Sequence, residues 1–99
     1  MSIEHIVLIE TKERASHAAI SEALDAIRGL KNKISGILDI KVGKNISQRM
    51  PKVTYVVIVT MSDQSVLDAY GPHPAHQEVL ALLENVAENW LVADMNLEK

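Results

Sequence analysis

Along the nine residues Val53 to Met61, VTYVVIVTM, apolar side chains fall on both sides of a two-residue repeat. In an extended chain Val53, Tyr55, Val57 and Val59 point one way, and Thr54, Val56, Ile58 and Thr60 the other. Its β-branched content predicts a strand, the strongest such signal in the chain. The segment IEHIVLIET near the start makes the same demand, with His5, Val7 and Ile9 alternating with Ile6 and Leu8. A half-solvated antiparallel sheet normally has one polar face. Two strands that are apolar, or nearly so, on both faces therefore require cover on both sides.

The remaining segments supply the rest of the fold. From about Ser16 to Lys33, Ile20, Ala23, Leu24, Ile27, Leu30 and Ile34 recur at helical spacing, with Glu22, Asp25, Arg28 and Lys31 between them. Gly29 costs that helix about 1 kcal/mol against Ala unless something packs closely there. SGILDIKVGKN reads as a second strand in which Ile37, Asp39 and Lys41 alternate with Leu38, Ile40 and Val42. ISQRM is a loop, and Pro51 marks the entry to the next strand. Ser62 is expected to cap a short helix through QSVLDAY, which Gly71-Pro72 must stop. Pro74 suits the first turn of a new helix carrying Val79, Leu80, Leu83, Val86 and Ala87 on one stripe. WLVADMNL closes the chain as a fourth strand.

The order βαββαβ in one unit of residues 1–99 predicts an α+β fold: a ferredoxin-like antiparallel sheet with its helices on one face. Those helices cover only one side. The other is expected to expose Val7, Ile9, Ile40, Val42, Val57, Val59 and Val92, a patch larger than a monomer tolerates. A second copy related by a two-fold axis is the simplest cover, so a homodimer through the sheet face is expected.

Composition narrows the function classes. Only Trp90, Tyr55 and Tyr70 are aromatic and there is no Phe, so the core is aliphatic and offers few stacking platforms for bases. The net charge of −3 and scattered basic residues also argue against nucleic acid. Without cysteine there are no disulfides or thiolate metal sites. MSIEHIVLIE has neither a cationic region nor a cleavage site, and no apolar run approaches the ~18 residues of a membrane span. A cytoplasmic protein that binds neither membrane nor nucleic acid is expected. Gly43-Lys44-Asn45 lacks a glycine-rich phosphate loop, so no nucleotide cofactor is expected.

EHIVLIETKE, LKNKISGILDIKVGKN and LDAYGPHPAHQEV together resemble the stress-responsive dimeric α/β-barrel (Dabb) domain family, over essentially the whole chain. The resemblance implies two ferredoxin-like protomers closing their sheets into a shared barrel, with a cavity on the sheet side of each. Many members are small stress-associated proteins without an established reaction. A plant branch includes cyclases that close linear polyketide chains by an aldol-type step, using a His and a Tyr at the cavity edge. Matched motif to motif, these fall on His76, the second His of HPxH, and on Tyr70. Where cyclase-like members carry a further His on the third strand, this chain has Tyr55.

The chemistry fits those residue types. Neutral imidazole has a pKa near working pH and can remove a proton α to a carbonyl, and a phenol can hydrogen-bond the developing oxyanion. Around His76 and Tyr70, the residues expected to line a ligand cavity are His5, Val7, Ile9, Ile40, Tyr55, Val57, His73, Trp90 and Val92. Each polar one also has a plain structural reading: His76 bonded to a nearby carbonyl, His73 capping a helix, Tyr70 in the core, His5 an interior histidine. His73 and His76 lie three apart, but Pro74 puts His73 at or before the helix start and no fixed third ligand is evident, so no metal is expected. Two functional readings remain. One is a small dimeric stress-associated protein binding an apolar metabolite, favoured by Tyr55 and the aliphatic lining. The other is a cofactor-independent cyclase, isomerase or lyase acting on a carbonyl compound, with His76 as base and Tyr70 as hydrogen-bond donor.

Overall fold

Four extended segments pair antiparallel in the computed structural model, which describes residues 2–97. They are β1 (Ile3–Thr11), β2 (Ile37–Lys44), β3 (Tyr55–Met61) and β4 (Ala87–Asn96), ordered β2-β3-β1-β4 across one sheet. Helix α1 (His17–Gly29), extended by a 3-10 turn at Leu30–Asn32, connects β1 to β2, and α2 (Gln64–Tyr70) with α3 (Pro74–Val86) connects β3 to β4. This is the ferredoxin-like βαββαβ fold, with the two apolar strands β1 and β3 at the centre of the sheet. Among the described residues no helix is long and apolar enough to cross a membrane.

Local chemistry sets the helix starts. Ser16 caps α1 by accepting from the Ala19 amide at 3.1 Å. For α2 the cap is Asp63, one residue beyond the expected Ser62, because its carboxylate reaches the amides of Ser65 and Val66 at 3.0 and 3.3 Å. At Gly29 a Cβ would meet nothing within 4 Å, so no close packing accounts for that glycine. Helix α3 passes straight into β4 at Ala87, three residues before the expected start at Trp90.

The two faces of the sheet are the reverse of the sequence expectation. Residues paired across the strands share a face, and the rungs His5–Val59, Val7–Val57 and Ile9–Tyr55 lie under the helices. Ile9, Val57, Val59 and Met61 are fully buried there against Leu24, Ile27, Val79 and Leu83. The set expected to lie bare, Val7, Ile9, Ile40, Val42, Val57, Val59 and Val92, is therefore the helix-covered face. The bare one carries Ile6, Leu8, Val56, Ile58, Leu91, Ala93 and Met95 instead. When both faces are apolar, hydrophobicity carries no sign that distinguishes them. In β2 the strict alternation also fails. The pairing shifts between Ile37 and Asp39, so Ile37, Ile40 and Val42 all face the helices while Leu38 is left half exposed.

Candidate functional site

The turn between α2 and α3 brings the titratable cluster together. Tyr70 is the last residue of α2, Gly71 ends that helix, and Pro74 opens α3 with its fixed φ. His73 is the cap of α3, its Nδ1 accepting from the Ala75 amide at 3.0 Å. That bond holds the side chain at the helix start. Three residues further on, His76 has its Nδ1 3.1 Å from the Gly71 carbonyl oxygen. A carbonyl only accepts, so this contact puts the proton on Nδ1 and leaves Nε2 with a lone pair.

His76 and Tyr70 stand side by side, ring centroids 4.1 Å apart and planes inclined at 39°. His5 also contacts the Tyr70 ring, at 5.2 Å in an edge-to-face arrangement. All three line one pocket of about 340 Å³ between the sheet and the helices. Its floor is Val7, Ile9, Val57, Trp90 and Val92, and its wall is Ile27, Leu67, Val79, Leu80 and Leu83. The volume suits a small organic ligand. No Lys or Arg lines it among the described residues. The polar groups are thus gathered at one end of an aliphatic chamber.

The cavity expected on the sheet side is on the helix side, as the reversal of the faces requires. Of the residues expected to line it, His5, Val7, Ile9, Val57, Trp90 and Val92 do so together with Tyr70 and His76. Ile40 and Tyr55 share the helix-covered face but lie outside the pocket lining, as does His73. Ile40 belongs to the far edge strand β2, and Tyr55 sits at the β2-side end of the Ile9 rung. The pocket leans toward β1 and β4.

Burial adjusts the two central groups in directions that suit proton chemistry. Desolvation pushes the Tyr70 phenol up to about 12, so it stays protonated and is a hydrogen-bond donor. His76 is lowered from 6.5, chiefly by desolvation and further by the nearby His5 and His73, against the opposing pull of the Gly71 carbonyl. Its neutral, basic form is therefore favoured.

Asp94, beside the pocket but outside its lining, is a residue that sequence reasoning missed. It lies directly across from His5 on the neighbouring strand β4, and its Oδ1 is 2.5 Å from His5 Nδ1. Its signal was its parity: in WLVADMN it shares a face with Trp90 and Val92, an acidic residue on an otherwise apolar face. Among the described residues no group of three His, Asp or Glu side chains converges as a metal site would require.

A ferredoxin-like protomer with a single-ended polar pocket between sheet and helices defines the class of this protein. Its closest sequence pattern is more specific. The chain belongs to the stress responsive A/B barrel domain family, whose model matches residues 3–97. It is 25% identical to olivetolic acid cyclase of Cannabis sativa, over the full length of both chains. It is 28% identical to an uncharacterised protein of Streptomyces coelicolor, over 93% of this chain and 96% of that one. Among solved structures, it resembles a dimeric ferredoxin-like protein from Jannaschia sp. CCS1 with a TM-score of 0.84 and 26% identity, covering 98% of this chain and all of the other.

Proposed function

We propose that this protein is a cofactor-independent acid–base catalyst acting on an uncharged carbonyl compound held in the helix-side pocket. The observation that carries this reading is the pairing of Tyr70 and His76, 4.1 Å apart on one wall of an apolar chamber. His76 Nε2 takes a proton from the carbon next to the carbonyl, and the electron pair of that C–H bond moves onto the carbonyl oxygen. Tyr70 donates a hydrogen bond to the oxygen as its charge develops. The apolar lining offers water few hydrogen-bond partners beside that bond. A cyclase among the full-length relatives supports the reading.

The test is α-proton exchange. Uncharged ketones of increasing chain length are incubated with the protein in deuterium oxide, and loss of the α-proton signal is followed by NMR. His76→Ala is expected to lower the exchange rate by roughly 10²–10⁴ and Tyr70→Phe by roughly 10²–10³ with the fold intact. A second reading, binding without turnover, draws on the aliphatic lining and on the tie of His76 to Gly71. It predicts saturable ligand binding, no exchange above buffer, and an affinity that His76→Ala leaves unchanged.

The assembly we propose is a homodimer in which the bare sheet faces meet. Leu91 and Met95 are nearly half exposed on that face. The solved relative from Jannaschia is dimeric.

A further inference from the structure

At one end of the pocket His5, which lines it, pairs with Asp94 just outside the lining, and packing supplies no reason for the pair. Along the helix-covered side of β1 and β4 the rungs Val7–Val92 and Ile9–Trp90 are apolar. At the next rung His5 faces Asp94, with His5 nearly buried and the Asp94 side chain 39% exposed. The two strands already pair from Ile3 to Thr11, so a hydrogen-bonded side-chain pair is not needed to hold them. Two apolar side chains would fill the rung without burying an imidazole.

What the pair does accomplish is orientation. The carboxylate accepts from Nδ1, so that nitrogen is occupied, and the nitrogen left without a hydrogen-bond partner is Nε2. His5 lines the pocket and meets the Tyr70 ring edge to face, while His76 is tied to Gly71. Two imidazoles are thus held by different acceptors, a carboxylate and a peptide carbonyl, and both contact one phenol ring. The arrangement is asymmetric. One imidazole has a carboxylate to balance its charge, and the other has only a neutral carbonyl.

We infer that His5 is a second acid–base group of this pocket, with Asp94 as its positioning residue, and that the site takes uncharged substrates in which a proton leaves one atom and arrives at another. This rests on the carbonyl reading above and extends it. His76 Nε2 accepts the proton from carbon while the C–H electron pair becomes the enolate. His5 in its protonated form gives its Nε2 proton to the oxygen, leaving neutral imidazole hydrogen-bonded to Asp94 and an enol hydrogen-bonded to Tyr70. Return of a proton to carbon reverses the roles, and each imidazole resets by exchange with water. No oxidant, reductant or further reactant enters the balance. The absence of Lys and Arg from the lining favours an uncharged substrate, since the one cation the step invokes, protonated His5, is already balanced by Asp94.

Proton–nitrogen correlation NMR of the imidazoles in the intact protein tests the inference without requiring turnover, with acetylacetone as the uncharged probe. In the unliganded protein His5 is expected to show a proton held on Nδ1. On adding acetylacetone, the Nε2 signals of His5 and His76 are expected to move along one saturation curve. Asp94→Asn is expected to scramble the His5 tautomer and cut its response by more than half while the His76 response persists, and Asp94→Glu to restore it. If His76 responds and His5 does not, His5–Asp94 is only a tie between strands, and the proposed function stands without it. If Asp94→Asn leaves the His5 response whole, Asp94 is not its positioning residue. If neither imidazole responds, both the inference and the carbonyl reading fall.

Discussion

At the scale of single residues, the two groups on the pocket wall make opposite demands on pH. His76 has its pKa lowered by burial, so folding favours the neutral imidazole. Below 6.5 the unfolded chain takes up the proton more readily than the folded one, and stability present above that value is lost as pH falls through the folded pKa. The same shift keeps the base in its working form further into acid. The acid limb of α-proton exchange is therefore expected to have its midpoint below 6.5, and a midpoint well above that value would count against His76 as the base. Tyr70 behaves the other way, with its phenol raised from 10.0 to about 12. Its contribution is intact below pH 10 and disappears as the pH climbs toward 12, because the unfolded phenol ionises first. The loss expected is on the order of 2–3 kcal/mol at the alkaline end. Denaturant midpoints of Tyr70→Phe should fall less steeply across that range than those of the parent protein.

At the scale of elements, the turn into β2 depends on a backbone conformation that side chains rarely adopt. Gly36 has φ +94°, and a Cβ there would lie 2.3 Å from a methyl of Val66 on α2. Its carbonyl also accepts from the Ser62 amide at 2.9 Å, linking the start of β2 to the entry of α2. Gly36→Ala is expected to cost roughly 2–4 kcal/mol, from strain and overlap together, measured as a shift in the denaturation midpoint at unchanged slope. The elements themselves were legible because period-two and helical patterns are long in this chain, and Pro74 and the Gly71-Pro72 pair punctuate them. The β2 shift was not, since one extra residue at Leu38 leaves an alternating string looking regular. Asp94 was missed for a related reason. A single acid in an edge strand reads as solvent-facing until the pairing sets it across from His5.

For the whole molecule, the need for a second layer of cover was legible and the face needing it was not. Val57 and Ile58 are equally apolar, and only the strand register decides which meets the helices. The site suffered the same ambiguity. Tyr70, His76 and His5 were named from their motif and parity, yet the cavity they share was expected on the wrong side of the sheet. The corrected geometry changes which substitution should break the assembly. Leu91→Lys, on the bare face, is expected to leave the protomer folded and shift the sedimenting mass from twice 10.9 kDa to 10.9 kDa. Val92→Lys, one position away, is expected to keep the dimer. If Leu91→Lys sediments as the parent does, the sheet faces do not form the interface.

The two faces of β1 give this short chain an unusual separability. Odd positions His5, Val7 and Ile9 help to form the chamber, and even positions Ile6 and Leu8 form the bare surface. With the proposed site and the proposed interface, such a protein would retune its chemistry through one parity of a nine-residue strand and keep its quaternary state through the other. A saturation scan of β1 scored separately for turnover and for association should come out as two interleaved combs, each nearly blank where the other has teeth.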